Sequence, residues 1–184
     1  MIGYVILGLI VIAAIVIVSI YNGLVGLRVR ADNAWSDIDV QLKRRHDLIP
    51  NVVETVKGYA AHEKGTLEAV IAARSRAVSV ENAGPAERAA AEGAVTSALR
   101  GLFALAESYP QLRAVESFTQ LQTQLAQIED AVQNARRYYN AVVRDLNTKV
   151  VQFPSNIVAG LFSIKSREFF EAPESDRAVP QVKF

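Results

Sequence analysis

From Ile2 to Leu27 the chain reads IGYVILGLIVIAAIVIVSIYNGLVGL, without a charged side chain, and from Arg28 onward apolar and polar residues alternate at helical spacing. An unbroken apolar run of this length crosses a bilayer as one helix, because about 20 residues rising about 1.5 Å each cover a hydrocarbon core of about 30 Å. The pattern therefore predicts a transmembrane anchor over 1–27, a helical bundle over 28–164 and an extended tail over 165–184. A cleaved signal peptide fits less well. Only Met1 precedes the apolar run, the run exceeds the usual h-region, and Ser19-Ile20-Tyr21 is a poor cleavage context.

The cleanest periodic signal comes late in the chain. Phe118, Leu121, Leu125, Ile128, Val132, Ala135, Tyr139, Val142 and Leu146 step alternately by three and four, a sustained heptad seam of the kind found in bundles and coiled coils. Gln122, Gln124, Gln127, Glu129, Asp130 and Arg136 supply a polar outer face. Tyr109-Pro110 and Phe153-Pro154 bound this helix, which is expected over 112–151. A shorter helix is expected over 86–107. Its apolar positions are Ala91, Val95, Ala98, Leu102 and Leu105, and its start is marked by the turn cluster Asn82-Ala83-Gly84-Pro85.

Ala31, Trp35, Ile38, Leu42, Ile49, Val52, Val56 and Tyr59 keep one phase across Pro50, which favours a single long kinked helix. Against this, Asp47 can cap a new helix with Pro50 in its first turn. Length favours that second reading: a helix over 86–107 spans about 33 Å and one over 112–151 about 60 Å, so half of the latter would overshoot its partners unless the chain folds back near 45–50. The expected fold is thus all-α, an N-terminal transmembrane helix followed by an antiparallel bundle of three long helices, or four with the fold-back, which the length comparison favours. Ile157, Val158, Leu161, Phe162 and Ile164 form an apolar piece too short to span a membrane. Packing on the end of the bundle is favoured over lying in the membrane interface. Phe169, Phe170 and Phe184 are expected to pin the tail, with Pro173 and Pro180, to the bundle.

Charge adds an orientation. Arg28, Arg30, Lys43, Arg44 and Arg45 follow the anchor, and the positive-inside rule places that side in the cytoplasm and the N-terminus outside. Absence of cysteine accords with a reducing compartment. After the anchor, about 157 residues suffice for one core. Twenty basic against nineteen acidic residues, net +1, is not the footprint of a nucleic-acid-binding protein.

Candidate chemistry is sparse. His46 and His62 lack the partners of HExxH or of paired Glu-x-x-His sites, and neither phosphate-binding glycine loops nor a nucleophile elbow occur. No catalytic residue, metal site or cofactor is expected. Lys43, Arg44 and Arg45 form the strongest polar constellation, a candidate contact with anionic headgroups or with an acidic partner surface. The preferred structural alternative has Arg45, on the apolar phase, reaching Glu129 or another bundle carboxylate. Asn140, beside Tyr139, is expected to fix helix register by hydrogen bonding.

Several stretches resemble the LemA family: AWSDIDVQLKRRHDLIPNVVETVKGYAAHE ending at Glu63, ARSRA from Ala73, ESYPQLRAVESFTQLQTQL from Glu107, IEDAVQNARRYYNAVV from Ile128, FPSNIVAG from Phe153 and REFFEAPE from Arg167. The resemblance implies a short outside N-terminus, one transmembrane helix and a cytoplasmic helical bundle, and carries no catalytic residues. It also implies a link to membrane organisation, through a branch acting in magnetosome membranes, and to envelope partners. The expectation is a single-pass, non-enzymatic cell-membrane scaffold that contacts the bilayer, forms a homo-oligomer and organises membrane or envelope proteins. An adaptor or sensor for an envelope protein such as a membrane protease is the alternative.

Overall fold

A computed structural model of the chain describes residues 1–171. Residues 172–184, including Pro173, Pro180 and Phe184 of the expected tail, lie outside the described residues. The elements are α1 (Ile2–Lys57), α2 (Lys64–Ser79), α3 (Pro85–Ala106), α4 (Pro110–Arg113), α5 (Glu116–Val151) and α6 (Ser155–Leu161). No strand occurs among the described residues, so the fold is all-α as the periodicity predicts. The chain forms two compact units, the first from Met1–Ser36 and Arg137–Arg167, the second from Asp37–Arg136 and the residues from Glu168 onward.

In the first unit, α1 begins as a bare apolar helix, with every residue from Ile2 to Ser19 exposed. Burial starts at Ile20 and Tyr21, and Leu24 is fully enclosed with Leu146 of α5 and Val158, Ala159 and Ile164 of the α6 region. The Trp35 and Tyr139 rings meet at 5.2 Å, an aromatic pair between α1 and α5 of the kind that adds to area burial. Asn147 holds the chain after α6 from both sides: its Nδ2 donates to the Arg167 carbonyl at 2.9 Å, and its Oδ1 accepts from the Arg167 amide at 2.8 Å. Arg167 in turn reaches Asp32 of α1 at 2.6 Å.

In the second unit, α2 and α3 are joined by a short turn, which makes them antiparallel neighbours. Gly84 caps α3 and Pro85 occupies its first turn, where a missing N–H costs nothing. The core draws Ile49, Val52 and Val56 from α1, Val70 from α2, Val95 and Leu102 from α3, Leu112 from α4 and Phe118 from α5. The long helix expected from 112 instead starts at Glu116 after the single turn of α4. Leu112 and Phe118 are six residues apart, which on one helix would turn them to different faces; the break between α4 and α5 lets both enter one core. Phe170 is buried and Phe169 half-buried.

The favoured fold-back near 45–50 does not occur. Helix α1 continues through Pro50, and the chain reverses beyond Lys57. Proline leaves the carbonyl four residues back without its helical donor. Here that carbonyl belongs to His46, and Arg74 Nε of α2 donates to it at 2.8 Å. A tertiary donor thus replaces the missing helical one. The length comparison also misled, because the C-terminal half of α5 has partners of its own in the first unit. Tyr59, expected in the buried phase, is 49% exposed because the helix has already ended, and Ala60 is buried in its place.

Past the reversal, Tyr109 Oη donates to Glu63 Oε1 at 2.9 Å. That bond, followed by desolvation and the Glu63 charge, raises the Tyr109 phenol above its ordinary value of 10.0. A phenol raised in the folded state contributes stability that is complete below the unfolded value and is lost as pH climbs through the folded one. Alkaline unfolding monitored by circular dichroism should therefore show a loss starting near pH 10 that Tyr109→Phe diminishes. Identical alkaline profiles for the two proteins would refute the link.

Candidate functional site

Helix α3 carries Arg88, Glu92 and Thr96 at four-residue spacing, one stripe beside its apolar face. Arg88 and Glu92 are buried although charged, which is tolerable only where each charge finds a partner. The partners come from α1 and α5. Arg88 Nη1 donates to Asp39 Oδ1 at 2.6 Å. Arg45, 3% exposed, lies 3.5 Å from Glu92 Oε2 and 3.0 Å from Glu129 Oε2, and also donates to the Thr96 hydroxyl. His46 Nε2 sits 2.9 Å from Glu92 Oε1 without completing a hydrogen bond. Arg74 adds a third guanidinium beside this layer, donating to the His46 carbonyl.

The triplet Lys43-Arg44-Arg45 is thus split by the helix. Arg45 turns inward to Glu129, the partner favoured by the structural alternative, while Lys43 and Arg44 are exposed. Lys43 borders a pocket whose charged wall also includes Asp39, Asp47, Glu81, Arg74 and Arg88. Cations and carboxylates balance there, so an ionic ligand of neither sign is favoured. Arg44 borders a different feature, an open groove between α1 and α5. Its floor holds Leu48, Ile128 and Ala131, and its rim holds Gln41, Arg44, Asp47, Gln124 and Gln127. Among the described residues, no group of three or more His, Asp or Glu side chains is placed to hold a metal ion.

Arg74, Arg88, Glu92 and Thr96 were not singled out from sequence. The four-residue spacing of Arg88, Glu92 and Thr96 beside Ala91, Val95 and Leu99 was a usable signal. Arg74 had none, since its partner is a backbone carbonyl. Asn140 is buried beside Tyr139.

Among the described residues, one apolar helix is long enough to span a bilayer, with none of that window buried, and together with the all-helical body it fits the class of membrane-associated helical proteins. Residues 34–184 match the LemA family, and the chain belongs to it. It is similar to the magnetosome protein MamQ 2 of Paramagnetospirillum magneticum, 26% identical over 88% of this chain and 70% of the relative. Protein LemA of Metamycoplasma hominis is 29% identical over 79% of this chain and 66% of its own length. MamQ of Magnetospirillum gryphiswaldense is 24% identical over 88% of this chain and 70% of its length.

Proposed function

We propose that this chain is a non-enzymatic, membrane-anchored scaffold that self-associates and organises membrane or envelope proteins, with its helical body in the cytoplasm. The observation that carries the reading is the groove between α1 and α5 in the second unit, with its apolar floor and a glutamine-rich rim that also holds one cation, Arg44, and one carboxylate, Asp47. Such an open, shallow surface suits a protein segment better than a small molecule, which needs an enclosing pocket. Of the heptad seam of α5, Ile128 lies on this floor, while the other positions are buried or half-buried within the chain itself. Confinement by the anchor raises the effective concentration of neighbouring copies, so a modest surface suffices. Arg28 and Arg30, both exposed after the span, favour the cytoplasmic side. The relatives named as magnetosome proteins accord with a role tied to a membrane compartment.

The test places a photo-crosslinking residue at Arg44 or Gln124 of the full-length protein in its native membrane, with the exposed Ser75 of α2 as the control position. The expected product is a dimer-sized adduct of two copies from the groove positions and none from Ser75. Capture of a different envelope protein would replace self-association with the adaptor reading. No adduct, together with a monomeric mass in mild detergent, would remove the scaffold reading.

A further inference from the structure

Among the described residues beyond 18, the most exposed large apolar side chains gather between 151 and 161. Phe153 is 75% exposed, Leu161 72%, Val151 70% and Ile157 61%. Ile157 and Leu161, four residues apart, share one face of α6, and Phe153 lies in the turn just before that helix. The opposite side of α6 is committed, with Val158 and Ala159 buried against Leu24 and Leu146. The short segment is therefore apolar on two faces, and only one of them is used inside the protein.

Its position within the first unit identifies what covers the other face. The bare part of α1, 2–19, measures about 27 Å, close to the hydrocarbon thickness of about 30 Å. Protein contacts to α1 begin immediately afterwards, and α6 makes several of them. The Tyr21 and Phe162 rings are 4.5 Å apart. Ser155 and Lys149 share a cavity wall with Ser19, Ile20, Gly23 and Leu24. Hence α6 abuts α1 just where the bare stretch of that helix ends. Exposed Arg28 and Lys165 line a neighbouring pocket, where anionic headgroups favour cations.

We propose that the exposed face of α6 carrying Ile157 and Leu161, with Phe153 in the turn before it, inserts into the membrane interface as a second, monotopic lipid contact beside the anchor. Seven residues cannot span the bilayer, but an apolar stripe can lie in its plane at the boundary between headgroups and acyl chains. A single helix leaves the protein free to tilt and to rotate about the anchor's axis; a contact to one side of it fixes both. The inference needs only the membrane anchor and stands whether or not the protein is a scaffold.

The chain has no cysteine, so single thiols can be placed cleanly. The experiment uses full-length Ile157→Cys and Leu161→Cys proteins carrying an environment-sensitive fluorophore, in vesicles of phosphatidylcholine and phosphatidylglycerol. Ile10→Cys serves as the in-span reference and Ser75→Cys as the aqueous one. Both test positions are exposed, and circular dichroism verifies that each variant is folded. The expected result at 157 and 161 is blue-shifted emission, quenched more by lipids labelled near the headgroup than by lipids labelled near the acyl terminus. Label at residue 10 should show the reverse depth order. Iodide quenching equal to that at residue 75 would overturn the proposal. So would shielding from both lipid and iodide that disappears on dilution with additional lipid, because a second copy would then cover the stripe.

Discussion

Replacing Arg45 with alanine is expected to destabilise the second unit by about 3–5 kcal/mol, the usual cost of removing one partner from a buried ion pair. Arg45 is 3% exposed and stands between Glu92 and Glu129, with the Thr96 hydroxyl as a further acceptor. Its loss leaves Glu92, itself 7% exposed, without the guanidinium that compensates its burial. Arg44→Ala, one residue away on the exposed face, should change stability by no more than about 0.5 kcal/mol. Urea unfolding of a chain lacking the exposed residues 2–19, followed by circular dichroism, measures both. The combination Arg45→Met with Glu92→Met should recover much of the loss, because apolar replacements of similar volume leave no buried charge behind. Equal costs for Arg45→Ala and Arg44→Ala would show that the layer does not anchor the bundle.

The contrast between these neighbours marks how far the sequence could be read. Helical phase alone separates Arg45, in register with Ile38, Leu42, Ile49 and Val52, from Lys43 and Arg44 on the outer face. The same periodicity located the α5 seam, whose positions are all buried or half-buried, and the turn cluster Asn82-Ala83-Gly84-Pro85 placed the start of α3, expected at 86 and found at Pro85. It did not reveal which carboxylates a buried arginine meets besides Glu129, because Glu92 joins through a packing angle that no local spacing encodes. Nor did it locate the chain reversal. Pro50 was the loudest punctuation in its region, yet α1 ignores it and turns after Lys57, near Gly58, a weaker signal. Local rules treat the missing proline donor as a break, whereas here a side chain from another helix supplies it. The groove between α1 and α5 was not legible for the same reason, since it exists only where two distant helices diverge.

The repair at Pro50 makes a sharp energetic prediction. Arg74→Met should cost about 1–3 kcal/mol, the penalty for leaving a carbonyl unsatisfied, because Arg74 Nε is the donor to the His46 oxygen at 2.8 Å. Pro50→Ala restores an amide donor for that same oxygen and removes the clash of the proline ring with the carbonyl four residues back. It should stabilise by about 1–2 kcal/mol, less than the helix-interior penalty of proline of about 3 kcal/mol, because the unfolded chain also regains part of the freedom that proline denied it. The informative quantity is the coupling. In the Pro50→Ala background, Arg74→Met should cost less than about 1 kcal/mol, because the helix no longer needs the tertiary donor. A double-mutant cycle by urea unfolding isolates this difference, and non-additivity above about 0.5 kcal/mol exceeds what independent sites show. Additive costs would mean that Arg74 stabilises the protein through packing of its stem rather than through the His46 carbonyl. A clear coupling would establish that α1 runs unbroken past Pro50 because α2 completes its hydrogen bonding. The continuity of the anchor helix would then depend on a contact made 24 residues further along the chain, from Arg74 to the turn containing Pro50.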